Sequence, residues 1–525
     1  MTTRRALWAL IGAATLIRVA WAASMGGMAN EAYYYMYAQN LDWSYFDHPP
    51  MVGLVSAAGL RLIGWAAPVL GLRLGFVALM AGSTWLMARL TARCFGDRAG
   101  FLAALALNAT AFYGVKVGTL AEPDGPLLFF WLLTMDRLHV ALLGPGRTRD
   151  WVAVGLAWGG ALLCKHHAVL LPAGACLYLL MRPEARRCLR TPGPYLAAVI
   201  GGLMFAPVVL WNASHGWASF AYQGSRAGGF TGFHAEMFLE AMVAQVLYLT
   251  PWISVGIASM MIGLARRGPR KWTSAEVFSL GVALPPLCLF LGVATYRRIM
   301  PHWPMIGFVG LLPMLGKWLS DRLDARPAST RRWLAFSLAA PLALGSLIVV
   351  QARTGLLQDA KGRMLGLVKP IKDPTVDTIR WPQIADALKA RGLLDRPDTF
   401  LFTDYWCFSA ELAMATNRPS GVACYQRDSR SYTFWSRPED WVGRDGIFVR
   451  LEDGLAPPTY YEPWFERVEL LDSFPIVRAG TPMQTVKLYR CVRQTAPFLF
   501  GRAGAEAVPK PTSAIAVRPV EGSTR

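Results

Sequence analysis

The chain has 525 residues, of which 54% are hydrophobic and only 17% charged, and its mean hydropathy is +0.31. Soluble domains carry about 25% charged residues, so a string of soluble domains is excluded. The net charge of +19 does not indicate nucleic-acid binding, because the basic residues fall in clusters between apolar blocks, as in membrane loops, and not along one aromatic-interleaved face.

A membrane-crossing helix needs about 20 mostly apolar residues. Segments of this kind are predicted at 6–24, 68–90, 99–118, 126–143, 151–164, 168–181, 194–211, 241–264, 276–293, 304–319 and 333–350. The first follows Arg4 and Arg5 like a signal peptide, but Arg18 interrupts it and further spans follow, so it is expected to stay as an uncleaved helix. The segments 151–164 and 168–181 are short and are expected to tilt, or to dip at Lys165-His166-His167 into a cavity. With the N-terminus inside, the loops at 4–5, 93–98, 147–149, 182–190, 266–271 and 317–332 hold 19 basic residues, and the outside loops hold 7. That asymmetry sets the expected direction. It places 25–67, 119–125, 165–167, 212–240, 294–303 and everything after about 351 on the outer side.

The predicted organisation is a membrane domain over 1–350, with a first outer loop at 25–67, an outer α/β domain over 351–500 and a disordered tail over 501–525. Within the outer domain, Thr399–Tyr405, Gly446–Leu451 and Val486–Cys491 read as strands and Ala410–Thr416 as a helix. Cys407, Cys424 and Cys491 lie there, where a disulfide is allowed. Three cysteines cannot all pair with one another, and the sequence does not choose among the pairs. No internal repeat is visible.

The outer loops hold the residues with chemistry. Asn30-Glu31-Ala32-Tyr33-Tyr34-Tyr35 and Tyr45-Phe46-Asp47-His48-Pro49-Pro50 put acids among aromatics just after the first span. An interfacial aromatic belt explains the rings equally well. Glu122-Pro123-Asp124-Gly125 is a tight turn with two acids, and turn chemistry alone would account for it. Lys165 is an ionisable residue at membrane depth, which is a functional candidate by default. The adjacent His166 and His167 do not share a helix face as a metal pair would. Arg297-Arg298, followed by His302-Trp303-Pro304, puts cations on the outer side against the charge bias, where they suit a phosphate. Trp211-Asn212 with Trp217-Ala218-Ser219-Phe220 suits a sugar, a lipid head group or the interfacial belt.

Together these motifs resemble the bacterial branch of the protein-mannosyltransferase-like superfamily, which includes the aminoarabinose and galacturonic acid transferases of lipid A and lipopolysaccharide core. The resemblance covers about residues 5–320, and Ala410-Glu411-Leu412-Ala413 resembles the outer domain of that branch. It implies a GT-C fold with about 11 transmembrane helices in the bacterial inner membrane. It also implies a polyprenyl-phosphate-sugar donor and an extracytoplasmic acceptor, either an envelope glycolipid or a protein. The family has Asp-Glu where this chain has Asn30-Glu31. An amide cannot act as a general base, so the expected base is Glu31 or Asp47. Asp124 would orient the acceptor or a divalent metal ion, whose requirement stays open. Lys165, Arg297 and Arg298 would hold the phosphate. Asn30, Tyr34, His48, Glu122, Trp217 and His302 complete the expected substrate-binding set. One displacement step would invert the sugar. A lipid-linked sugar flippase would share the spans but is expected to show repeats. A non-catalytic sugar-binding protein is the reading that Asn30 keeps open.

Overall fold

The computed structural model describes residues 2–230, 232–358, 373–452 and 454–500. The tail over 501–525 lies outside the described residues. The chain forms two compact units. One holds Met1–Met25 and Leu41–Val349, and the other holds Gly26–Asn40 and the chain from Val350 onward.

The first unit is helical. Helix α1 (Thr3–Ser24) starts where the Thr2 hydroxyl accepts the Arg5 N–H. Helix α2 (Ala29–Gln39) belongs to the other unit. The chain returns with α3 (Met51–Ile63), α4 (Pro68–Phe95) and α5 (Asp97–Asn108). A π-helical turn over Ala111–Val117 continues α5 at an angle of 64°. After it come α6 (Asp124–Leu143), α7 (Thr148–Leu162) and a 3-10 turn, His166–Val169, that leads into α8 (Leu170–Met181). Next are α9 (Gly193–Ser214), α10 (Ala218–Ala227), α11 (Ala235–Leu249) and α12 (Pro251–Arg267). Helices α11 and α12 meet at 105°. Thr250 at the junction has φ +74°, and Pro251, which has no N–H to donate, opens the new helix. The unit ends with α13 (Ser274–Val293), α14 (Met305–Val309), α15 (Leu312–Ala325) and most of α16 (Pro327–Thr354).

Six of these helices are long and apolar enough to cross a membrane, or eight if each bent pair is one span. The chain is therefore a multi-pass membrane protein. Eight of the eleven predicted segments coincide with these helices and bent pairs, and 168–181 falls on a shorter apolar helix, His166–Met181. The difference lies in continuity. The 151–164 segment is the 15-residue α7, and 304–319 is divided into α14 and α15 near Gly310. Packing between helices uses small residues, as expected where lipid removes the hydrophobic drive. A Cβ on Gly316 of α15 would stand 2.4 Å from the Ala99 carbonyl oxygen of α5.

The second unit is built on a five-stranded sheet in the order β2-β1-β3-β5-β4. Helix α17 (Asp377–Ala390) precedes β1 (Thr399–Thr403), and α18 (Trp406–Thr416) leads to β2 (Val422–Cys424). A short α19 (Tyr432–Trp435) comes before β3 (Asp445–Leu451), β4 (Phe465–Arg478) and β5 (Thr481–Gln494). The β1 pairings with β2 and β3 are parallel, whereas β5 pairs antiparallel with both β3 and β4. The predicted strands and helix are all present, and β2 and β4 are additions. The core is aromatic, with Phe400, Phe402, Tyr425, Phe448 and Tyr461 all buried. Two buried hydroxyls are satisfied: Tyr425 donates to Gln494 at 2.7 Å and Tyr461 to the Tyr425 carbonyl at 2.9 Å.

Two readings that the sequence left open close here. Cys407, Cys424 and Cys491 are all buried, and no disulfide joins them. The tyrosines of 33–37 are not a membrane belt. Within the second unit, Tyr33 donates to the Ser431 hydroxyl at 2.9 Å and accepts the Ser431 N–H at 3.1 Å. Its ring meets Trp406 edge-on at 4.6 Å, and Tyr37 meets Trp435 in the same way at 5.7 Å.

Candidate functional site

Asp124 opens α6 after the turn in which the Gly125 N–H donates to the Glu122 carbonyl at 2.9 Å. Lys165 follows the end of α7 in extended conformation, before the 3-10 turn. The break therefore projects Lys165 away from the helix ladder. Its Nζ donates to both Asp124 carboxylate oxygens at 3.0 Å, and both residues are buried. A second pair lies in the same unit. Lys116 in the π-helical turn stands 3.1 Å from Glu122.

Asp47 and His48 are held in the same unit by backbone. The Tyr45 N–H closes a turn on the His48 carbonyl, and the Met51 N–H donates to the Leu163 carbonyl at 3.0 Å, two residues before Lys165. Gln223 of α10 donates to the Asp47 carbonyl at 2.7 Å. Helix α10 is itself set by Asn212, whose side-chain oxygen accepts the Ser219 and Phe220 N–H groups at 3.1 and 3.3 Å. This accounts for the Trp211-Asn212 and Trp217-Ala218-Ser219-Phe220 motifs as one capped corner. Trp217 sits at its apex with φ +57° and an exposed ring.

Around the two ion pairs stand four histidines, His48, His166, His167 and His302, and another cation. Burial pushes the His48 imidazole down to about 4; Asp47 opposes the shift, and Lys165 and His166 reinforce it. His302 is held well below the ordinary histidine range, first by burial and then by Lys165, Lys116 and Arg226. Both rings are neutral at pH 7. Both ring nitrogens of His166 are buried without a hydrogen-bond partner among the described residues. Arg226 lies over the Trp303 ring at 4.7 Å and the Tyr222 ring at 5.3 Å. Among the described residues it forms no ion pair.

The structure thus brings Asp47, His48, Glu122, Asp124, Lys165 and His302 into one polar centre of the first unit. Arg298 is engaged by Glu240 at 3.1 Å on an exposed face. Arg297 donates to the Ser225 carbonyl at 2.5 Å, beside Arg226. Glu31, Asn30 and Tyr34 belong to the second unit. There Glu31 is buried and its carboxylate accepts the Met28 N–H at 3.2 Å, capping α2. Tyr34 is buried against Tyr37, and Asn30 is exposed. Sequence reasoning did not single out Lys116 and Arg226, and it noted His166 beside Lys165 without giving it a role in the site. The first two were legible as cations counted against the charge bias. Among the described residues no group of three or more His, Cys, Asp or Glu side chains is placed to hold a metal ion.

Residues 47–211 match the family model described as dolichyl-phosphate-mannose-protein mannosyltransferase. Lipid A galacturonosyltransferase RgtD of Rhizobium johnstonii is 26% identical over 298 residues, which is 55% of this chain and 60% of that protein. The matched region thus spans less than two thirds of the curated relative. Two solved structures cover nearly the whole chain. ArnT from Cupriavidus metallidurans bound to undecaprenyl phosphate gives a TM-score of 0.58 at 17% identity, covering 91% of this chain and 97% of ArnT. Its apo state gives 0.57 at 16%, covering 93% and 98%. At such identities the likeness establishes the fold.

Proposed function

We infer that this chain is a GT-C glycosyltransferase of the protein-mannosyltransferase-like superfamily, a reading supported by the family-model match over residues 47–211 and by the ArnT-like fold. It moves a sugar from a polyprenyl-phosphate donor to an extracytoplasmic acceptor. The observation that carries this reading is the buried Lys165–Asp124 pair, ringed by Lys116, Arg226, neutral histidines and Asp47 in one membrane unit. A phosphate leaving group needs cations and no second acid, because it departs as a stable anion. Arg226, stacked on two rings and free of a carboxylate, is the cation best placed to grip it. Lys165 and Lys116 supply the surrounding field. Arg297 supports Arg226 through the Ser225 carbonyl.

In the reaction the acceptor hydroxyl oxygen bonds to the anomeric carbon as the bond from that carbon to the phosphate oxygen breaks. The hydroxyl proton passes to a carboxylate, and polyprenyl phosphate leaves with the electron pair. One such step inverts the anomeric configuration. Asp47 is favoured as the base because it acts electrostatically on His48 and His166, on which Lys165 also acts. Asp124 orients Lys165 and through it the phosphate. The names of the relatives support undecaprenyl phosphate as the donor carrier and lipid A as the first acceptor to test. The names of the relatives support a bacterial inner-membrane location, and the charge asymmetry supports a cytoplasmic N-terminus with the α/β unit outside.

The test is transfer by the purified chain from labelled undecaprenyl-phosphate sugars to lipid A, compared with Asp47→Asn, Glu31→Gln and Arg226→Gln. Transfer lost in D47N and R226Q but kept in E31Q is expected. Full transfer in D47N, or loss only in E31Q, would move the base to Glu31. Translocation of the lipid-linked sugar without transfer would favour a flippase.

A further inference from the structure

At the end of the first unit where the basic loops lie, one fully buried carboxylate serves three guanidiniums. Asp136 of α6 stands 3.1 Å from Arg93 and 3.6 Å from Arg89, both of α4, and also pairs with its neighbour Arg137. One negative charge does not balance three positive ones, and the guanidiniums, 24–37% exposed, present the surplus positive charge at the surface. A cavity of about 500 Å³ opens beside them. Arg89, Arg93 and Arg4 of α1 line it with the apolar walls of Leu7, Trp85 and Phe101. Asp97 is the one carboxylate in the lining. Arg89 lies 5.0 Å from the centre of the Trp85 ring, which holds its head at the cavity wall. Trp8, one residue past Leu7, is exposed in the position of an interfacial anchor.

We propose that this cavity between α1 and α4 binds an anionic phospholipid, with the phosphate diester on Arg4, Arg89 and Arg93 and the acyl chains along Leu7 and Trp85. The apolar walls and the interfacial depth favour a lipid over a soluble phosphate, as in basic pockets between membrane helices generally. The site is separate from the Lys165 centre, and its cations include none of the residues proposed to handle the donor.

Native mass spectrometry of the delipidated full-length chain with phosphatidylglycerol and with phosphatidylcholine tests this. Wild type is expected to prefer phosphatidylglycerol. Arg4→Gln, a change at an exposed side chain, should weaken that binding about fivefold. The triple variant R89Q/R93Q/D136N removes two cations without stranding the buried carboxylate and should weaken it by about 25-fold. If the triple variant fails to fold, Arg4→Gln decides alone. Equal binding of the two lipids by wild type, or unchanged binding in R4Q, overturns the proposal. Displacement of phosphatidylglycerol by an equal concentration of inorganic phosphate would also overturn it, by making this a soluble-phosphate site.

Discussion

Asp124 and Lys165 are 41 positions apart and meet through two hydrogen bonds of 3.0 Å in a buried setting. Removing one partner leaves the other charge uncompensated, which costs about 3–5 kcal/mol at a buried pair. Lys165→Met is therefore expected to lower the unfolding temperature as well as abolish transfer. Adding Asp124→Asn should restore much of the stability but none of the turnover, read by thermal unfolding in detergent and by product formation. His48 gives a second expectation at this scale. Its folded proton affinity is depressed to about 4, against about 6.5 for a free histidine. Between those values the unfolded chain binds the extra proton, so stability rises with pH across that window and falls as the solution is acidified through it. In His48→Asn the unfolding temperature should change less between pH 4 and 6.5, and an unchanged slope would refute the assignment. Lys165 was legible in the sequence because a charge at membrane depth stands out. Arg226 showed in the sequence only as one of the few outer-side cations, because its role rests on Trp303 approaching it from elsewhere in the chain.

At the scale of elements, the π-helical turn that carries Lys116 is pinned by Arg18 of α1. The Arg18 guanidinium donates to the Gly114 carbonyl at 3.0 and 3.1 Å and to the Asn108 side chain at 2.6 Å. The turn also needs Gly114, where a Cβ would stand 2.1 Å from the Asn108 carbonyl oxygen. Arg18→Met leaves buried acceptors unpaired at about 1–3 kcal/mol each. It should lower stability and reduce turnover through Lys116, with little change in donor affinity, measured as separate kcat and KM. The same arginine looks like an interruption of an apolar run in the sequence, whereas it is a brace for a π turn 90 residues or more away. Strand legibility was similarly partial. The strands β1, β3 and part of β5 are apolar runs bounded by turns. Strand β4 pairs only with β5, alternates poorly and exposes Glu466, Arg467 and Leu470. Its pairing, not its composition, makes it a strand.

For the whole molecule, none of the eight cysteines is in a disulfide. Those at 407, 424 and 491 are buried, and burial pushes the Cys424 and Cys491 thiols up, away from the reactive thiolate. These three should resist alkylation in the folded protein and react on denaturation, and a reducing agent should leave the unfolding temperature unchanged. The membrane organisation was readable because apolar length is a property of contiguous sequence. The partition into units was not. The aromatics of 33–37 have the composition of an interfacial belt, and only their partners, Ser431, Trp406 and Trp435, reveal that they are core.

That partition bears on how such proteins can be recombined. The chain passes from one unit to the other at Met25, at Asn40 and again at Val349, so the α/β unit is assembled from two stretches lying more than 300 positions apart. A chimera joined at a single point near residue 350 would pair one parent's α2 with the other parent's α18. Tyr33 and Tyr37 would then meet foreign side chains in place of Ser431, Trp406 and Trp435. Exchanges between relatives that carry the 26–40 stretch along with the C-terminal part are expected to express and fold, and those that leave it behind to aggregate.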